Sequence, residues 1–127
     1  KNVLELHGSI YRNYCMKCYK EFDLDYILNS EGVPLCDKCK GIVRPDVVMY
    51  EEALDMHVLR KSIEYIQKAE VLIVGGTSLV VYPAAGLIEY YRGNNLILIN
   101  KSKTPYDSRA TLVFNDSIGK ILKQAVF

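Results

Sequence analysis

The sequence predicts an α/β protein: a partial parallel sheet with crossover helices, attached to a small module organised by cysteines. Three observations predict it. All four cysteines of the 127-residue chain fall in two Cys-x-x-Cys pairs, Cys15/Cys18 and Cys36/Cys39. Residues 43 to 127 alternate strand-sized apolar runs with stretches of helical periodicity, and that rhythm is the pattern of a parallel sheet with crossover helices. Turn-forming residues, Gly75-Gly76, Gly93 and Asn100 among them, fall between the runs.

Residues 1 to 9 form a lead-in that contains Glu5-Leu6-His7-Gly8-Ser9. Residues 10 to 42 hold every cysteine and little periodicity. Within them, 10–14 and 21–24 read as short strands around the first pair, and 25–29 as one helical turn. Pro34 precedes the second pair and Gly41 follows it. Such a segment builds no large apolar core, so a bound metal is expected to supply its folding energy.

From residue 43 the pattern changes. Residues 47–50 form a short apolar run, expected as a strand. Met56, Leu59, Ile63 and Ile66 recur at steps of 3, 4 and 3, one face of a helix. Residues 71–74 read as a buried strand closed by Gly75-Gly76. Pro83 suits the first position of a helix through Tyr91, and Gly93 suits its end. Residues 96–99 and 111–114 read as two more strands. Asp116 is a natural N-cap for a helix carrying Ile118, Ile121, Leu122 and Ala125. The set describes part of a Rossmann-type sheet, in which ligands bind beyond the carboxyl ends of the strands. The loops at 75–78, 100–103 and 115–117 all lie there.

The cysteine spacing is that of a zinc site. Residues 19–35, 17 in number, separate the pairs. Zinc takes four soft ligands at tetrahedral corners, and each Cys-x-x-Cys turn supplies two. Two disulfides or four free thiols are the alternatives, and a disulfide framework suits a loop-rich secreted chain better than this α/β pattern. With Cys15, Cys18, Cys36 and Cys39 all bound, no position is open to water. The metal is therefore expected to be structural.

Composition bounds the rest. The charge is nearly balanced, 16 basic against 15 acidic residues for a net +1, which gives no nucleic-acid footprint and no membrane-attracting surface. The apolar runs are too short to span a bilayer. No secretory signal is read in the first residues. Reduced cysteines without a signal give an expected cytoplasmic location. A start at Lys1 without Met suggests a processed or truncated product.

Three positions are candidates for chemistry on residue type alone. Gly75-Gly76-Thr77-Ser78 follows a strand, where glycine lets backbone approach a phosphate or ribose and hydroxyls can bond to it; a simple tight turn is the commoner use of such a pair. Asn100 suits a ribose hydroxyl or a turn. His7 suits a general base near neutral pH or a structural role. His57 reads as solvated.

These pieces, in this order, resemble the sirtuin family, the NAD-dependent protein lysine deacylases. Glu5-Leu6-His7-Gly8 is similar to the family's catalytic-histidine segment, and the cysteine pairs to its zinc module. Arg44-Pro45-Asp46-Val47-Val48 resembles the stretch leading to its acyl-peptide groove. Gly76-Thr77-Ser78-Leu79-Val80-Val81-Tyr82-Pro83-Ala84-Ala85 resembles its nucleotide-ribose loop, and Leu98-Ile99-Asn100 the strand whose Asn meets the adenosine ribose.

The resemblance implies roles. His7 would be the general base on a ribose hydroxyl of NAD, after the acyl oxygen has attacked the nicotinamide ribose carbon and nicotinamide has left. Gly76, Thr77, Ser78 and Asn100 would hold the adenosine side, with Lys101, Lys103 and Ser117 lining the adenine pocket. Val48 and Tyr50 would wall the acyl-lysine tunnel, and Val81 would touch the peptide. Two departures from the family stand out. Glu51-Glu52 replaces its usual Gly-Glu. The glycine-rich phosphate loop and nicotinamide-recognition segment, which precede the histidine in the family, are not among these residues. The expectation is therefore the carboxyl-terminal part of a sirtuin, inactive and self-associating by itself, most simply as a two-fold dimer. A non-enzymatic zinc-binding interaction module is the competing class.

Overall fold

The computed structural model describes residues 2–126. Lys1 and Phe127, the outer ends of the expected 1–9 and 43–127 segments, lie outside the described residues. The chain forms two compact units, residues 1–58 and 59–127.

The first unit is an antiparallel sheet in the order β2-β1-β3. It is built from β1 (Gly8–Cys15), β2 (Glu21–Phe22) and β3 (Val43–Val47), with the short helix α1 (Leu24–Leu28) after β2. Leu24, expected at the end of a strand, is the first residue of α1. Asp23 just before it accepts a hydrogen bond from the Tyr26 amide at 2.8 Å, and that cap starts the helix. The core here is the cysteine cluster itself: Cys15, Cys36 and Val43 are buried, with Phe22, Tyr26 and Ile27 packed around them.

Residues 47–50 do not form a strand of the parallel sheet. The chain pairs earlier, over Val43–Val47, and antiparallel to β1. Val47 is the last paired residue, opposite Gly8, and the chain then turns at Tyr50. The true strand, Val43-Arg44-Pro45-Asp46-Val47, lacks an apolar run and contains a proline, so its pairing leaves little trace in the sequence. Pro45 is tolerated because β3 is an edge strand. The strand also belongs to the unit of residues 1–58, whereas the sequence pattern groups residue 43 onward with the second segment.

Helix α2 (Met56–Lys68) carries the chain onward. Asp55 caps it, accepting from the amides of His57 and Val58 at 2.7 and 3.1 Å. The second unit then presents β4 (Val71–Gly75), β5 (Asn95–Ile99) and β6 (Leu112–Phe114), all parallel in the order β4-β5-β6, and ends in α3 (Ile118–Val126). Leu79, Ile88, Tyr91, Leu96, Leu98 and Tyr106 form its core, with Ile66, Ala69, Leu72 and Val74 packed against them.

Two local expectations change. The segment after Pro83 is a 3₁₀ helix over Ala84–Tyr90, with Pro83 immediately before it. Gly93 is not its left-handed cap. A Cβ there would stand 2.4 Å from the Tyr91 hydroxyl, because the Tyr91 phenol folds over it to donate to the Glu70 carbonyl at 2.9 Å and accept from the Asn95 amide at 3.1 Å. At α3 the capping residue is Ser117. Its carbonyl and Oγ both take the Lys120 amide, at 3.1 and 3.4 Å. Asp116 supports it, accepting from the Ser117 amide and pairing with Lys120 one turn on.

Candidate metal centre and ligand-binding loops

The four cysteine sulfurs converge. Cys15 Sγ lies 3.4 Å from Cys39 Sγ, Cys18 Sγ lies 3.7 Å from Cys36 Sγ, and all four are within 4.8 Å of one another. Sulfurs at about 2.3 Å from a shared zinc would stand roughly 3.8 Å apart, so the set fits a zinc ion. The same separations are far beyond a disulfide bond of about 2.05 Å. Cys15 and Cys36 are wholly buried and Cys18 and Cys39 partly so, and four sulfurs fill a tetrahedral shell with no position left for water, which fits a structural centre.

The two knuckles repeat one geometry. In each, the amide after the second cysteine bonds the carbonyl of the first: Tyr19 to Cys15 and Lys40 to Cys36, both at 2.9 Å. Tyr19 and Lys40 take the left-handed conformation, φ 57° and 59°. The first cysteine's amide then bonds the next carbonyl along, Cys15 to Lys20 and Cys36 to Gly41, at 2.9 and 2.7 Å. Lys20 joins the knuckles through an ion pair with Asp37. Cys15 and Cys39 ionise with unequal ease. Burial pushes the Cys15 thiol up, but the Cys18 and Lys17 amides, with the neighbouring Cys39 and Cys18 sulfurs, outweigh it and bring it down to about 6. At Cys39 the Gly41 amide lowers the value, and burial beside three other sulfurs outweighs it, to about 12. A bound cation would favour the thiolate at Cys39 against that shift.

His7 lies in a tight turn at the foot of β1. The Gly8 amide bonds the Glu5 carbonyl at 3.0 Å, and the His7 carbonyl accepts from the Val48 amide at 3.1 Å. Gly8 has φ 76°, and a Cβ there would fall 1.8 Å from the Asp46 carbonyl oxygen. Only glycine fits. Arg12 straps the turn from outside, pairing with both Glu5 and Asp46. The imidazole is exposed.

After Val48 comes a clasped turn for which no residue pattern is a signal. The Arg44 guanidinium holds both oxygens of Glu52, at 2.6 and 3.0 Å, and Glu52 also accepts from the Met49 amide at 2.9 Å. Arg44, then that amide, hold the Glu52 carboxyl down at about 2. At the tip Tyr50 is 97% exposed, and Glu51 adopts φ 68°. The structure thus brings His7 and Val48 together and leaves Tyr50 projecting from the same unit.

The nucleotide-side candidates gather at the carboxyl edge of the parallel sheet. The Gly76 amide bonds the Ile99 carbonyl, and the Asn100 amide bonds the Phe114 carbonyl, both at 3.0 Å. Asn115 Nδ2 reaches the Asn100 carbonyl at 3.4 Å. Gly75 is a packing glycine: a Cβ there would stand 2.3 Å from Ile118 Cδ1. Gly76 is the conformational one, at φ 66°, with nothing within 4 Å of its would-be Cβ. Thr77 is spent locally, its Oγ1 accepting from the Leu79 amide at 3.2 Å. Asn100 Nδ2 donates to the Ser102 carbonyl at 2.9 Å, which leaves Oδ1 available as an acceptor. Ser78, Lys101, Lys103 and Val81 are exposed, while Ser117 is taken up with capping α3.

Fold and site together define a class: an α/β protein whose parallel sheet carries a glycine loop and an asparagine at its ligand edge, combined with a four-cysteine module that bears an exposed histidine turn. The chain belongs to the Sir2 family, whose family model matches residues 1–83. It is 64% identical over 127 residues to the NAD-dependent protein deacetylase of Clostridium acetobutylicum, covering 99% of this chain and 52% of that protein. It is 65% identical over 123 residues to the NAD-dependent protein deacetylase of Clostridium tetani, covering 96% and 50%. A solved Sir2–p53 peptide–NAD+ complex matches with TM-score 0.87 at 39% identity, over 98% of this chain and 54% of that one. Sir2Tm bound to a propionylated peptide matches with TM-score 0.88 at 40% identity, over 98% and 55%. The chain spans about half the length of the curated relatives it matches.

Proposed function

We propose that this chain is part of an NAD-dependent protein lysine deacylase that releases nicotinamide and passes the acyl group to ADP-ribose. The observation that carries the reading is the 64% identity, along the whole of this chain, to a protein deacetylase. NAD, when bound, supplies an electrophilic ribose carbon for the acyl oxygen to attack. His7 takes the proton from a ribose hydroxyl; its exposed ring on a fixed turn suits that task. Val48 and Tyr50 enclose the acyl-lysine, and Val81 meets the peptide. Gly76, Thr77, Ser78 and Asn100 hold the adenosine side, where the open face of Gly76 and the free Oδ1 of Asn100 support the assignment. Lys101, Lys103 and Ser117 border the adenine. A cytoplasmic location belongs to the same proposal and is supported by the reduced, metal-ready thiols.

The test is nicotinamide release from NAD with an acetyl-lysine peptide, using the full-length protein that carries these residues. Turnover that requires both substrates and is lost in His7→Ala, with the fold intact by circular dichroism, is the expected result. Full activity in His7→Ala removes His7 from the role of base. The 127 residues alone are expected to give no turnover. A transition state held by residues on this chain alone lacks the positional control that supplies many orders of magnitude in rate.

A further inference from the structure

We propose that Glu51 is a specificity-determining residue that selects acyl-lysine substrates carrying a lysine or arginine close to the modified residue. The inference rests on the deacylase reading above and extends it to the sequence around the acyl-lysine.

Three observations carry it. Glu51 follows Tyr50 at the tip of the turn beyond Val48, the same stretch assigned to the acyl-lysine. Its backbone lies at φ 68°, a conformation that favours glycine and disfavours a side chain. The fold therefore keeps a glycine-type backbone and carries a glutamate on it. The neighbouring carboxylates are also used differently. Glu52 is tied to Arg44 and to the Met49 amide. Glu51 is exposed and has no hydrogen bond or ion pair among the described residues. Glu52 thus fixes the turn, and Glu51 is held out on it as an uncompensated negative charge. The clasp fixes the backbone that carries the charge, so only the Glu51 side chain remains to be ordered when a cation meets it.

A single exposed carboxylate facing a cation a few ångströms away gives roughly a three- to tenfold preference at low salt, fading as salt screens it. Its natural counterpart is a lysine or arginine side chain flanking the acyl-lysine. A glutamate in that place on the peptide meets repulsion instead.

The experiment uses the full-length protein carrying these residues and three acetyl-lysine peptides. They differ only in having arginine, glutamine or glutamate at the residues flanking the acetyl-lysine. We expect kcat/KM to fall in that order at about 50 mM salt and the spread to shrink at about 1 M, as screening predicts. Glu51→Gln, which keeps the side-chain size and the backbone demand, should abolish the spread. Glu51→Gly should abolish it too. Equal turnover of all three peptides by the unaltered protein overturns the inference and leaves the deacylase reading standing. So does a spread that survives in Glu51→Gln. A uniform rise on every peptide in Glu51→Gly, without loss of spread in Glu51→Gln, also overturns it and makes Glu51 a simple obstruction. No turnover of any peptide overturns both readings together.

Discussion

Glu52 shows what one carboxylate does for a turn. Its folded pKa of about 2 lies below the ordinary 4.5, so the unfolded chain binds the proton more readily. The stability it contributes is whole above pH 4.5 and is lost as pH falls toward 2. Carbon-detected NMR titration of the Glu52 carboxyl should give a midpoint well below the ordinary value; a midpoint at the ordinary value would show that the clasp with Arg44 does not hold in solution. Gly8 carries a second expectation. Gly8→Ala combines left-handed φ with a Cβ on the Asp46 carbonyl, and should cost more than ~2 kcal/mol, read by chemical denaturation. A loss within error would mean that β1 and β3 can separate locally at no expense. At this scale the sequence was uneven. The cysteine spacing announced its ligands outright, because metal geometry constrains residue type and separation together. Glu51 was visible as an oddity, but its left-handed backbone was not, since glutamate, unlike glycine or asparagine, does not signal that conformation.

Among the elements, the paired knuckles make the metal site behave as a folding unit. Removing the metal leaves four thiols without their common partner and a core with few other apolar members. Chelation, or Cys36→Ser, should expose the amides of β1 to β3 to rapid hydrogen exchange while β4 to β6 keep their protection. Loss of protection in both sets at once would show that the units fold as one. At the far end, Ser117→Ala removes the cap of α3 and should cost about 1 kcal/mol, measured by thermal unfolding. The parallel strands were legible because each is a continuous apolar run at the expected rhythm. β3 was not, because an edge strand with arginine, proline and aspartate satisfies its backbone without an apolar signature. The 3₁₀ form of Ala84–Tyr90 was equally hidden, since helical spacing alone does not separate it from an α-helix.

For the whole molecule, the second unit leaves much of its sheet uncovered. Val71 and Ile73 on β4, and Leu112, Val113 and Phe114 on β6, are all more than a third exposed, though parallel sheets are normally covered on both faces. The outer edges of β4 and β6 have no strand partner among the described residues. The 127-residue chain is expected to self-associate through these surfaces. Light scattering across a dilution series tests this, and a stable monomer at micromolar concentration would refute it. β1 ties the other unit together end to end. Gly8, flush against Asp46, opens the strand, and the metal ligand Cys15 closes it. The loop bearing the imidazole therefore has no hinge of its own: its carbonyl is fastened to Val48, and its neighbour is wedged against β3. A zinc ion held by the four cysteines would thus act as a ruler from the far end of β1, setting how the turn of His7 stands against Val48. Stripping it is expected to blur that spacing while leaving both His7 and Val48 in the chain.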